Sequence, residues 1–265
     1  VFAYSKEPYI YDDKFWFKIV DYVVPEELST DSPIREKGET LFYFPFFNEK
    51  EAFKDIEKRL LNLNNPILFL HNLRNVYWKY EDSPNSIYEY TKETHNLGEK
   101  DGIIFDKIYL KNGEQKSTLI LFTKQINIPD NGKHNINIGY FLDEKGKINT
   151  DIRPKVFCFF PTSEKTDLCF ICHAPFLLVD SRQQIKNNEP LNVYLVEQLA
   201  KLQASSLPIL RDIGLKSKHL LIDENLFKIV PLSNNNGNEG ETLINSGAFY
   251  ESCLNIIKKE KLLLI

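Results

Sequence analysis

Residues 155–185 hold most of the side chains in this sequence whose type and spacing can do chemistry: KVFCFFPTSEKTDLCFICHAPFLLVDSRQQI. Two apolar runs, Val156–Phe160 and Leu168–His173, read as strands joined by a polar loop, and after Pro175 a third run ends at Asp180-Ser181-Arg182. Arginine cannot shed its charge and offers five donors in a planar fork that matches a carboxylate or a phosphate. Delivered from the end of an apolar run, Arg182 puts a fixed cation at the edge of a packed core. On pattern alone the favoured reading is a surface arginine at a strand terminus. In the same stretch, Cys169-Phe170-Ile171-Cys172-His173 has the C-x-x-C-H spacing of covalent c-type haem attachment. Strand context opposes haem, because positions three apart on a strand point to opposite faces. With no methionine in the chain, only a second histidine is left as the other axial ligand. Ordinary buried thiols are the expectation. Zinc needs about four ligands, and Cys158 and Cys253 each stand alone, so no metal is expected. No G-x-S-x-G elbow, Walker-type loop or dinucleotide glycine loop occurs, so these residues carry no self-contained active site.

The elements that must position these groups follow from composition and pattern. The chain has 265 residues, 42% hydrophobic and 26% charged, which is a globular balance with room for a sizeable core. Its 19 Phe and 13 Tyr favour sheets. A net charge of −4 without a dense Lys/Arg run argues against a nucleic-acid footprint. No apolar run approaches the roughly 20 residues that cross a bilayer, and no signal peptide is evident, so neither membrane nor secretion is expected. Four cysteines in a chain of this size do not form a disulfide framework, and a reducing cytoplasm is the default. The chain begins at Val1, contains no methionine and stops within an apolar pattern at Leu262–Ile265, so it reads as a piece of a longer protein.

Lys14–Val20 alternates with Phe15, Phe17 and Ile19 on one face, and Thr40–Phe46 reads as another strand. Asn48 with Glu51 forms a capping box, preceded by Phe47 as a staple, for a helix whose stripe Phe53, Ile56, Leu60 and Leu63 packs on a sheet. After Asn64-Asn65-Pro66 the runs Ile67–Leu70, Asn75–Tyr80, Ser86–Thr91, Gly102–Leu110, Ser117–Ile128 and Asn135–Leu142 read as an antiparallel meander. Asn112-Gly113 marks a type I′ hairpin between two of them, with further turns at Asp130–Gly132 and Glu144–Gly146. A helix follows Asn192 with Val196, Leu199 and Leu202 inward, and Pro208 should kink or split it before Gly214. Asn234–Gly240 reads as a flexible loop, and a last helix runs from Ser246 through Phe249, Cys253 and Ile256. The fold class is α+β: mixed, largely antiparallel sheets with helices packed on them, in two lobes, 1–64 and 65–265.

Several segments together resemble the sacsin-type branch of the GHKL ATPases, the superfamily of the ninety-kilodalton heat-shock protein. Val1-Phe2-Ala3-Tyr4-Ser5 resembles the residues that follow that family's glycine-rich lid box. Gly38–Phe46 (GETLFYFPF) resembles the last strand of its nucleotide domain, where a threonine helps hold adenine; Thr40 is the matching position. Glu39 separates Gly38 from Thr40, where the heat-shock proteins have the two adjacent. Ile67–Trp78 (ILFLHNLRNVYW) resembles the entry to the middle domain. FCFFPT, APFLLVDSRQQI and EPLN resemble the middle-domain segment whose arginine reaches back to the γ-phosphate, and Arg182 is that match.

The resemblance implies a C-terminal part of a nucleotide domain at 1–64 followed by a middle domain at 65–265. The asparagine helix that binds Mg²⁺, the catalytic glutamate and the D-x-G-x-G box would lie before Val1. It implies ATP with Mg²⁺ as cofactor of the intact protein only, none for this piece alone, and ATP hydrolysis only in the intact protein. A protein client or partner is implied, and a homo-oligomer stays open. The alternative is a non-catalytic protein-binding module with a degenerate or absent ATP site.

Overall fold

The structure, a computed structural model, describes residues 5, 7–21, 23–47, 49–61, 65–70, 72–80, 83–129, 131–231 and 243–262. The Asn48 cap, Leu63 of the helical stripe, residues 1–4 of the lid-like segment, the start of the turn at Asp130 and the loop at 234–240 lie outside the described residues. The chain divides into two compact units, 1–63 and 64–265. The architecture is α+β, with largely antiparallel sheets and helices.

Among its described residues the first unit carries β1 (Tyr9–Tyr11), β2 (Trp16–Val20), β3 (Val24–Glu27), β4 (Leu41–Tyr43) and α1 (Glu49–Leu61). The strands form one sheet in the order β3-β2-β1-β4. The strand expected over Thr40–Phe46 is shorter, and Thr40 precedes it. The helical stripe is not buried as its spacing predicts. Phe53 is 51% exposed and meets Phe46 edge-on, Ile56 and Leu60 are half-buried, and Ala52 is the buried position.

The second unit contains β5 (Asn75–Tyr80), β6 (Ser83–Lys100), β7 (Ile103–Asn112), β8 (Gln115–Ile128), β9 (Gly132–Leu142), β10 (Phe157–Cys158), β11 (Phe160–Pro161) and β12 (Ile171–His173). Their helices are α2 (Pro190–Ser217), α3 (Leu226–Ile229) and α4 (Ser246–Lys259). The sheet order is β11-β10-β12-β9-β8-β7-β6-β5, antiparallel except where Phe157 pairs with His173. Strands β7 to β9 are long because their alternation supplies two apolar faces. Ile120, Phe122, Ile138 and Tyr140 face the core shared with α2 and α4. Leu119, Leu121 and Phe141 face a second core under Leu68, Phe69 and Phe157.

Four expectations change. Ile67–Leu70 is not a strand but a run of turns, with Leu68 N–H on Asn65 O (3.2 Å) and Leu70 N–H on Ile67 O (3.2 Å). Its buried backbone carbonyls at Ile67, Leu68 and Leu70 accept from Lys92 Nζ at 3.0, 3.2 and 3.1 Å, which answers the need of irregular buried backbone for donors. The β7–β8 hairpin forms at the expected place, but its two-residue loop is Gly113-Glu114, flanked by the pair Asn112 and Gln115. Gly113 has φ +58 and Glu114 has no positive φ, the sign pattern of a turn with glycine first. The expected strand Val156–Phe160 folds back at Phe159, whose φ is +61, splitting it into β10 and β11. Finally, α2 runs unbroken through Pro208. Leu207 and Leu210 are fully buried beside it, and their burial outweighs the roughly 3 kcal/mol an interior proline costs. That helix ends beyond Gly214, where a Cβ would meet Leu221 N at 3.0 Å and His219 O at 3.1 Å, an approach only glycine allows.

Candidate functional site

Arg182 sits at the exposed tip of a narrow loop, residues 177–186, whose flanks are held from three directions. Leu178 and Ile185 form an antiparallel bridge, Lys186 N–H donates to Leu177 O (3.1 Å), and Val179 N–H donates to Gln184 O (2.9 Å). Ile185 and Phe176 anchor the loop in the core.

The base is clamped by Asn192, fully buried in the first turn of α2. Its Oδ1 accepts from Leu177 N–H (2.8 Å), and its Nδ2 donates to Leu177 O (2.9 Å) and Lys186 O (2.8 Å). The helix starts at Pro190 rather than after Asn192, with Glu189 at the cap position, so Asn192 is free to serve the loop instead of the helix. The side is clamped by residues 162–164. Glu164, 9% exposed, accepts Ile185 N–H on Oε1 (2.8 Å), and Ser163 N–H donates to Gln183 O (2.7 Å). Thr162 secures that segment by donating its hydroxyl to Val156 O (2.9 Å) and accepting Glu164 N–H (3.2 Å).

At the tip, Arg182 N–H closes a turn onto Val179 O (2.7 Å), and Arg182 itself has φ +57. A non-glycine residue in the left-handed region costs on the order of 1 kcal/mol. Among the described residues its guanidinium has no hydrogen bond and no ion pair, although Asp180 lies two residues away. Three other arginines are committed to carboxylates: Arg35 to Asp13 and Asp31, Arg59 to Asp55, Arg211 to Asp212 and Glu260. The loop therefore offers a fixed positive charge with its fork unused.

Thr40 is exposed on the first unit at the end of a loop that Arg35 organises. Arg35 donates from Nε to Asp31 Oδ1 (2.9 Å) and from Nη1 to Asp13 Oδ1 (2.7 Å), Glu36 O (3.1 Å) and Glu39 O (2.9 Å); its Nη2 also bonds Asp31. Asp13 Oδ1 accepts Gly38 N–H (3.1 Å), and Gly38 has φ +87, which fits the glycine before Glu39-Thr40. The hydrogen bonds from Arg35 hold the Asp13 and Asp31 carboxyls below the usual aspartate range and push the guanidinium up. No signal in the sequence marked Arg35, since its partners lie up to 22 positions away.

The C-x-x-C-H group is core. Cys169, Cys172 and His173 are at most 3% exposed. Desolvation pushes the Cys169 thiol up to about 11 and raises Cys172 further. The His173 ring stacks on Phe69 at 4.1 Å, and its Nδ1 pairs with Asn137 Oδ1 at 2.9 Å. Among the described residues no group of three His, Cys, Asp or Glu is placed to hold a metal ion, and no helix is long and apolar enough to cross a membrane.

No family model, no curated protein and no solved structure matches this chain.

Proposed function

We propose that this chain is the end of the nucleotide-binding domain and the middle domain of a sacsin-like, heat-shock-protein-type ATPase. Arg182 reaches the γ-phosphate of ATP in the intact protein, and Thr40 contacts the adenine side. The observation that carries this reading is the Arg182 loop: a strained, triply clamped tip that presents an uncommitted guanidinium. Such a cation acts electrostatically on charge that develops on the transferring phosphoryl oxygens. On this reading the arginine completes a site whose other groups are built elsewhere.

The first unit supports the same reading independently. Among its described residues only Ser5, Pro8 and Ala52 are buried, while Phe15, Phe42, Tyr43, Phe47 and Phe53 are each more than half exposed. A sheet and an amphipathic helix without a core need further structure to bury them.

Arg182→Ala in the intact protein tests the assignment. Steady-state ATP turnover is expected to fall on the order of 10³-fold, with nucleotide affinity within about twofold. Unchanged turnover removes the assignment. A second reading, a non-catalytic protein-binding module, draws on the outer strands, where Tyr77 and Ile87 are 68% and 57% exposed. An intact protein that neither binds nor hydrolyses ATP favours that reading.

A further inference from the structure

A cavity of about 450 Å³ opens in the second unit between the β7–β8 hairpin end and the segment that follows β9. Three cations line it, Lys116, Arg153 and Lys155, and none of its lining residues is an Asp or Glu. Neighbouring cavities differ in this respect. The groove beside Tyr77 shares Lys116 and is lined also by Glu89 and Glu114, and the cavity beside α3 shares Arg153 and is lined also by Asp151 and Asp167. Elsewhere in the unit some lysines do pair: Lys100 with Asp212, Lys111 with Glu89, Lys147 with Asp223. Among the described residues Lys116, Arg153 and Lys155 have no carboxylate partner.

The backbone holds two of the three in place. Arg153 and Lys155 flank Pro154, whose ring fixes its own φ and restricts Arg153 to extended conformations. Pro154 is buried, so the segment cannot swing away. Arg153 Nη1 donates to Thr150 O (2.6 Å) and Ile152 O (3.1 Å), which orients the guanidinium and leaves its other donors for a ligand. Opposite the cations, Phe141, Ile152 and Phe157 form an apolar wall, with Phe157 held edge-on against Phe69 at 5.0 Å.

We propose that this cavity binds a phosphate-bearing small molecule with an apolar or aromatic body. Three positive charges in a lining that holds no carboxylate favour a ligand with more than one negative charge, as a phosphate dianion supplies, and a guanidinium fork matches phosphate oxygens in two places. The volume falls in the range of small-molecule sites, roughly 300–1,000 Å³, and is too small for a folded partner. The site is separate from the Arg182 loop and requires no ATP chemistry.

Fluorescence anisotropy of 1-naphthyl phosphate with the 265-residue chain tests it, with inorganic phosphate and 1-naphthoate as competitors. Saturable binding at about 1 mM or tighter is expected, weakened about tenfold or more by Lys116→Gln and by Lys155→Gln, both exposed positions where folding is not at stake. Arg182→Ala is expected to leave it unchanged, so this site and the ATPase reading stand or fall separately. No saturable binding, affinity in both lysine variants unchanged from that of the unsubstituted chain, or 1-naphthoate competing as well as the phosphate would overturn the proposal.

Discussion

Asn192→Ala separates a clamped arginine from a merely exposed one. The substitution removes three hydrogen bonds, to Leu177 N–H, Leu177 O and Lys186 O, from a residue with no solvent exposure. Each bond contributes about 1 kcal/mol net, and a buried donor left unmade costs somewhat more, so about 3 kcal/mol is expected. Leu177 and Lys186 are exposed, and water can reach their carbonyls, which keeps the figure from climbing further. With a urea m-value of about 2–3 kcal/mol/M, the unfolding midpoint of the second unit should drop by about 1 M. Amide hydrogen exchange gives the second, local readout: the N–H groups of Leu177, Val179, Arg182 and Ile185 should exchange faster, while those of β8 keep their rank order. On the proposed ATPase reading, ATP turnover of the intact protein should also fall with the loosened loop. A stability loss below about 0.5 kcal/mol together with unaltered exchange at 177–186 would refute the idea that this side chain holds the loop.

Arg182→Gly should leave the second unit as stable as before, or more stable by up to about 1 kcal/mol, because glycine adopts φ +57 without strain; a thermal melt that falls instead contradicts the strain argument. In the first unit, Asp13 and Asp31 have folded pKa values below their unfolded ones, so their stabilisation is present above the ordinary aspartate range near 3.9 and is lost as pH falls through the lowered values. Acid titration of Trp16 fluorescence in a Trp78→Phe background should show that step, and Arg35→Gln should abolish it. Cys169 and Cys253, pushed up by burial to about 11 and about 12, should resist 5,5′-dithiobis(2-nitrobenzoate) at pH 7.5 until the chain unfolds; rapid native labelling at either would contradict their burial.

What the sequence disclosed, and what it hid, divides along range. Alternation over Ser117–Ile128 and Asn135–Leu142 produces β8 and β9 with the expected bounds nearly intact, because a period of two is local information. The helix beginning at Ser246 was equally legible, and Asn245 caps it by accepting Ala248 N–H at 3.1 Å. Strand β6 extends nine residues beyond the expected Ser86–Thr91, through Lys92–Lys100, where mostly polar side chains give no alternation and pairing with β7 supplies the order. The Ile67–Leu70 run looked like a strand because apolarity does not distinguish a strand from a buried turn, and Lys92, more than 20 positions away, satisfies its carbonyls. Arg182 was marked by its place after an apolar run. Its clamps were not, since Glu164 and Asn192 meet the loop only through tertiary structure.

The conformation of that arginine bears on its role more than its exposure does. A turn that needs a positive φ is met at least cost by glycine, or by asparagine through local hydrogen bonds. Arginine meets the need poorly, and among the described residues its side chain makes no hydrogen bond or ion pair that would offset the cost. A strained residue that makes no compensating contact persists only where the surroundings over-determine it, and Thr162, Glu164 and Asn192 do so from three sides. The strain and the clamps therefore have a common explanation if the charge is held ready for an anion the loop does not itself contain. A plain surface arginine would account for the exposure but for neither of the other two observations.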